Sequence, residues 1–235
     1  MLHGFLSSSL YFRRFRKRFE TEYTVITIDL LGSGASMQPD EPVTYEAQIA
    51  VLHEVLQKIE TPFTMLGHSM GAVLAARYAC EHSARVSRLI LFNPPLFTTP
   101  QQARKSIEQT GLHYRATVTH PRSRLLWKGL KVLPRTPRRI APPLNFGDGL
   151  RTHYYAREGG YRNIIIKAEF VHDLKRLTQP TLLIVGKRDR YVYQETLRTL
   201  SLPKNITVTK VATGHHTIIA KPKLAEELVR SYLLQ

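Results

Sequence analysis

Polar and apolar residues alternate along this chain in two different rhythms. Five short segments are nearly continuous apolar and β-branched runs: "TVITIDL" (24–30), "PFTMLGHS" (62–69), "RLILFN" (88–93), "TLLIVG" (181–186) and "ITVTKV" (206–211). Such runs suit strands buried on both faces, the habit of parallel sheets. Between them the period lengthens. "TYEAQIAVLHEVLQKIE" (44–60) places Ala47, Val51, Val55 and Ile59 on one stripe, with Leu52 and Leu56 beside it and Thr44 in the N-cap position. "MGAVLAARYACEHS" (70–83) is apolar on nearly every side and is expected to be buried, whereas "VYQETLRTL" (192–200) and "KLAEELVRSYLL" (223–234) are amphipathic. Strand and helix in alternation predict an α/β fold, a mostly parallel sheet with helices on both faces.

The alternation fails from about 96 to 172, where prolines stand at 100, 121, 134, 137, 142 and 143. Three short helix candidates remain there, around 101–109, 122–132 and 161–171. The stretch reads as an insertion between two strands, so residues 1–95 and 173–235 form the core and 96–172 the inserted part. A chain of 235 residues, 43% hydrophobic, can bury one good-sized core.

Charge narrows the partners. There are 34 Lys and Arg against 18 Asp and Glu, a formal net charge of +16. Residues 11–20, "YFRRFRKRFE", hold five basic residues and one acid, and residues 100–175 hold 15 basic and 5 acidic residues. Such a field attracts phosphates, anionic lipid or acidic substrates. No nucleic-acid motif accompanies it, and its aromatics do not interleave at a regular spacing, so no specific nucleic-acid partner is expected. A weak contact with anionic surfaces through the patches 11–20 and 128–139 is the expectation. Cys80 is the only cysteine, which excludes an internal disulfide and a cysteine-based metal site. No apolar run reaches the ~18 residues of a membrane span. No charged-then-apolar segment opens the chain, so a secretory signal is not expected and a cytoplasmic location is.

The sharpest chemical signal is "GHSMG", residues 67–71. It follows an expected strand and precedes an expected helix, the context in which G-x-S-x-G forms a nucleophile elbow. The turn is so tight that the residues two before and two after Ser69 must be small, and Gly67 and Gly71 fill those places, with His68 and Met70 between. A serine hydroxyl needs a base to take its proton and a third group to orient that base. Asp189, in "GKRDRYV", and His215, in "ATGHHTI", both follow expected strands, in loops at the strands' C-terminal ends, where ligand and catalytic groups gather in open α/β sheets.

These features resemble the α/β-hydrolase fold family. The resemblance covers "HGF" (3–5), the "DLLGSGAS" loop, "GHSMG", "LILFNPPL", the proline before "TLLIVGKRD", and "GHH". It implies Ser69 as nucleophile, Asp189 as orienting acid and His215, rather than its neighbour His216, as general base. It further implies oxyanion donors at the Phe5 and Met70 amides, and a helical cap at 96–172. The activity implied is cleavage of an ester or related acyl bond of a small-molecule substrate through an acyl-enzyme, carboxylesterase-like, without cofactor or metal. Thioester, lactone, amide and carbon–carbon bonds remain open as substrates. The competing classes are a hydrolase-like scaffold that binds without catalysis and a basic surface binder.

The remaining polar candidates have structural readings. Asp29, with Gly32, Gly34 and Ser36, shapes a turn; His3 shapes a loop; His68 packs or lines the pocket. Glu169 and Asp173 read as surface charge, and Cys80 as a small core residue. In the family, the strand ending in His-Gly is central in the sheet, between the segments 24–30 and 62–69, and two more strands precede it. Only Met1 and Leu2 stand before His3 here, so the sheet is expected to be incomplete at the N-terminus. Met1 is then expected to be an internal residue of a protein of about 260–280 residues.

Overall fold

The computed structural model describes residues 1–60, 62–109 and 152–235. Four parallel strands form a sheet in the order β1 (Phe63–His68), β2 (Val86–Phe92), β3 (Thr181–Gly186), β4 (Ile206–Val211). Side chains alternate between its two faces, and each face carries its own core. Leu89 and Leu91 of β2, with Leu183 and Val185 of β3, point to the side covered by α2 (Tyr45–Leu56) and α3 (Met70–Glu81). Ile90, Phe92, Leu182 and Ile184 point the other way, toward the helix Pro222–Leu233 and the segment holding α1 (Arg13–Arg16). Both faces are therefore dry, which explains why the strands read as unbroken apolar runs.

The run 24–30 departs from expectation. It forms one parallel bridge, Ile28 with Leu2, and Leu2 bridges Gly67 on its other side. Leu2 N donates to Leu66 O at 2.8 Å, and His68 N donates to Leu2 O at 3.0 Å. A ladder needs a partner residue for every rung. Among the described residues, the backbone paired with 24–30 as in a ladder is that of Met1 and Leu2, while Tyr23 and Ile26 are exposed. Leu2 itself is fully buried in the core between 28 and 67.

Helix α2 also turns a different face inward. Its buried residues are Tyr45, Gln48, Ile49, Leu52 and Leu56, and Val55 is exposed. The buried stripe keeps helical spacing but runs through a glutamine. Gln48 satisfies its amide inside by accepting from Leu31 N and donating to Leu31 O, both at 3.2 Å. Tyr45, on the same stripe, lies under the Arg77 guanidinium, 4.6 Å from its ring centre.

The basic segment 11–20 has two sides. Phe12, Phe15 and Phe19 recur at helical spacing and are buried against the second sheet face. Arg18 and Arg230 pair with Glu226 at 2.5 and 3.1 Å, and Arg230 reaches Glu22 at 2.8 Å. Arg13, Arg14 and Lys17 stay exposed. The charge is thus the wet side of an aromatic anchor.

Of the inserted stretch, the described parts are helical: α4 (Pro100–Glu108), Tyr154–Gly159, a π-helical turn Gly160–Ile165, and Phe170–Arg176. The candidate helix 161–171 is thus replaced by the π turn and a helix starting at Phe170. The candidate 122–132 and the basic patch 128–139 lie outside the described residues. The returning part packs on the loop 31–43. His153 N donates to Gly32 O at 2.7 Å, and Val43 N donates to Tyr155 O at 3.2 Å. Asp173 is fully buried rather than a surface charge. Arg77 of α3 donates to its carboxylate at 2.9 Å and also binds Glu169.

Candidate active site

The site begins where β1 meets α3. Ser69 has φ 53° and ψ −120°, a backbone conformation that side-chain-bearing residues seldom adopt. Its amide is tied to the end of β2, Ser69 N donating to Phe92 O at 2.9 Å. The flanking glycines are required by backbone, not by side chains. A methyl group on Gly67 would lie 2.4 Å from Gly71 O, and one on Gly71 would lie 2.2 Å from Leu2 O. No rotamer change relieves a backbone collision; Gly67 answers to the turn itself, and Gly71 to the segment holding Leu2 and His3.

Ser69, His215 and Asp189 lie in one hydrogen-bonded chain. Ser69 Oγ is 2.9 Å from His215 Nε2, and His215 Nδ1 is 2.8 Å from Asp189 Oδ2. A carboxylate accepts, so Nδ1 carries the hydrogen and the Nε2 lone pair faces the serine hydroxyl. The Asp189 side chain is nearly buried, and its other oxygen accepts from the Arg190 amide at 2.8 Å. The loops bearing Asp189 and His215 touch closely at their bases. A methyl group on Gly186 would lie 2.4 Å from Gly214 O. Asn93, buried with φ 47°, donates from Nδ2 to Gly214 O at 3.2 Å and to Asp189 Oδ2 at 3.4 Å.

The "HGF" turn lies against the elbow. A methyl group on Gly4 would be 3.1 Å from Ser69 Cβ. Met70 opens α3, where first-turn amides lack intrahelical partners. The Phe5 ring and the Met70 sulfur both border Gly160, so the returning part of the insertion closes over these two residues. His3 Nδ1 donates to Gly4 O at 2.8 Å, and its Nε2 accepts from Leu30 N at 3.0 Å, which fits the loop-shaping role. Asp29 accepts from Ser9 N at 2.6 Å and Ala35 N at 2.9 Å. Burial pushes its pKa up, but these two amides outweigh that and hold it below the ordinary carboxylate value.

His216 does not join the chain; it faces Tyr11, whose hydroxyl is 3.4 Å from His216 Nδ1. Burial, helped by the neighbouring His215, pushes the His216 pKa down to about 4. His68 is fully buried, and its Nε2 lies 2.8 Å from the His215 carbonyl oxygen. Sequence reasoning missed Asn93 and Tyr11. Asn directly after a buried strand and before two prolines was the available signal for the first, since Asn tolerates positive φ. Nothing in the sequence brings Tyr11 to residues 68 and 216.

Residues 1–222 match the family described as "alpha/beta hydrolase fold", and the chain belongs to that family. A probable 1-acylglycerol-3-phosphate O-acyltransferase of Oryza sativa subsp. japonica is 31% identical over 172 residues, 68% of this chain and 39% of that protein. The probable lysophospholipase BODYGUARD 1 of Arabidopsis thaliana is 26% identical over 167 residues, 65% of this chain and 30% of that protein. The chain thus spans between 30% and 39% of the length of these two curated relatives. Among solved structures, a bromoperoxidase from Bacillus anthracis superposes with a TM-score of 0.75 at 22% identity, covering 100% of this chain and 90% of the other. At that identity the likeness speaks for the fold alone. Among the described residues no helix is long and apolar enough to cross a membrane.

Proposed function

We propose that this protein is a serine hydrolase that cleaves an ester or related acyl bond. Ser69 is the nucleophile, His215 the general base and Asp189 the group that orients it. The carrying observation is the continuous chain from Ser69 Oγ through His215 to Asp189, at 2.9 and 2.8 Å, on a backbone turn of positive φ. His215 takes the Ser69 proton as Oγ bonds to the carbonyl carbon. The oxyanion is met by the Met70 and Phe5 amides, each donor being worth on the order of 10²–10³ in rate. His215 then protonates the leaving alkoxide, and water releases the acyl group by the same steps. Two relatives are named for acyl chemistry on glycerol phospholipids, which favours a lipid ester as substrate. The positive charge of the chain suits an anionic headgroup on it.

Hydrolysis of p-nitrophenyl esters of increasing chain length, and of lysophospholipids, tests the reading. Turnover that falls by about 10³-fold or more in Ser69→Ala and His215→Gln supports it. Turnover unchanged in Ser69→Ala overturns it. A second contact, between the exposed Arg13, Arg14 and Lys17 and an anionic surface, is supported by their shared position around one helical turn. Retention on heparin that drops with salt, and drops again when the three become Ala, is the expected sign.

A further inference from the structure

The loop that carries His215 is held by three successive carbonyls, each with its own donor. Thr213 O accepts from Arg188 N at 2.9 Å, Gly214 O from Asn93 Nδ2 at 3.2 Å, and His215 O lies 2.8 Å from His68 Nε2. The third donor differs from the others in its origin: it belongs to the residue directly before Ser69. A carbonyl can only accept, so His68 carries its hydrogen on Nε2. Its Nδ1 is buried without a hydrogen-bond partner among the described residues. A methyl group on Gly4 would lie 3.0 Å from that nitrogen, so the "HGF" turn closes the space in which a partner would stand. The Tyr11 ring stacks on His68 with centres 4.5 Å apart and planes 16° apart, and the His216 ring lies 5.3 Å away. The imidazole is therefore fixed in place and in tautomer.

We propose that His68 is a positioning residue: its Nε2–H clamps the His215 peptide carbonyl, so the elbow that aims Ser69 also aims the base. This rests on the serine hydrolase reading above. The side chain of His215 is about a third exposed; Asp189 orients its ring. Its backbone sets where that ring stands relative to Ser69. A clamp from residue 68 ties that backbone to the same turn that positions Oγ, and the 2.9 Å contact survives small movements of either loop. Burial keeps His68 neutral, its pKa well below the ordinary value.

The test compares wild type, Ser69→Ala, His68→Phe and His68→Gln. Phe keeps a flat ring beside Tyr11 but has no donor; Gln has no ring but places an N–H the same number of bonds from Cα. The readouts are the rate of fluorophosphonate labelling, kcat and KM for p-nitrophenyl acetate, and the thermal midpoint. His68→Phe is expected to slow labelling and kcat by roughly 10–10²-fold with KM little changed, as a misaimed base should. His68→Gln is expected to recover most of that loss. A His68→Phe protein as fast as wild type, or a folded His68→Gln no faster than Phe, overturns the proposal. Should either variant unfold, ¹⁵N spectra of wild-type histidines decide. The Nε2–H tautomer of His68 across about pH 5–8 is expected, and an Nδ1–H or charged His68 overturns the clamp. Labelling that is absent in wild type, or that persists in Ser69→Ala, counts instead against the hydrolase reading and leaves the tautomer measurement standing.

Discussion

Replacing Gly71 by Ala sets two effects of opposite sign against each other. Gly71 is the second residue of α3, where Ala is favoured over Gly by up to ~1 kcal/mol. The new methyl group would, however, sit 2.2 Å from Leu2 O and 2.5 Å from His3 O. An ordinary carbon–oxygen contact is roughly 3.3 Å, so about 1 Å must open between α3 and the 1–5 segment. That segment is held by Leu2 N to Leu66 O and His68 N to Leu2 O, at 2.8 and 3.0 Å. Weakening both costs about 0.5–1.5 kcal/mol each, and forcing bulk into a packed core costs about 1–3 kcal/mol. With the ~1 kcal/mol propensity gain subtracted, the net loss is about 1–5 kcal/mol, which at ~2–4 °C per kcal/mol lowers the midpoint by roughly 2–20 °C. Because the "HGF" turn moves with the segment, ester turnover should also fall on the order of 10²-fold. Gly214 is the internal control: a methyl group there meets only Arg188 O, at 3.9 Å, and Gly214→Ala should leave the midpoint within about 2 °C. Calorimetry of both variants checks the argument. A Gly71→Ala protein as stable as wild type would refute the backbone collision on which it stands.

Asp173→Ala should lower stability in urea by about 1–3 kcal/mol, because it removes the buried one of the carboxylates that pair with Arg77, Glu169 remaining, whereas the half-exposed Glu81→Gln should cost under ~0.5 kcal/mol. His216 makes the fold acid-labile. Its folded pKa of about 4 lies below its ordinary value, so the unfolded chain takes up the proton first. This stability is complete above pH ~6.5 and lost as pH falls toward 4, worth about 2 kcal/mol for a partly exposed ring. Thermal midpoints measured from neutral pH to pH ~4.5 should fall less steeply in His216→Asn than in wild type. Burial pushes the Cys80 thiol up to about 11, so iodoacetamide near pH 8 should modify the native protein at least about tenfold more slowly than the urea-unfolded one. Equal rates would place the thiol in solvent.

Four apolar runs became strands close to the bounds their composition suggests; β2 and β3 lie between two cores, whereas β4, at the sheet edge, keeps Thr207 and Lys210 exposed. The run 24–30 has the same composition, yet a strand is made by its neighbours, and among the described residues this one pairs with Met1 and Leu2 alone. The face of α2 was misread for a related reason. A period can show which residues share a stripe, but Gln48 is tolerated inside only because Leu31, 17 residues away, completes its hydrogen bonds. Asp173 looked like surface charge because its partner Arg77 is 96 residues distant. The elbow was the most legible feature: Gly67 and Ser69 answer to a local backbone constraint, and Gly71 to the close approach of Leu2 and His3. The contacts that brace it, from His68, Asn93 and Tyr11, come from the way distant loops meet and leave no periodic trace.

Everything proposed for the site depends on Ser69 being an activated nucleophile. Incubation with a fluorophosphonate, followed by intact mass and peptide mapping, reads this directly. A single adduct on the peptide containing Ser69, lost in Ser69→Ala and strongly slowed in His215→Gln, is the expected result. A folded wild-type protein that acquires no adduct, or one labelled equally in Ser69→Ala, would contradict it.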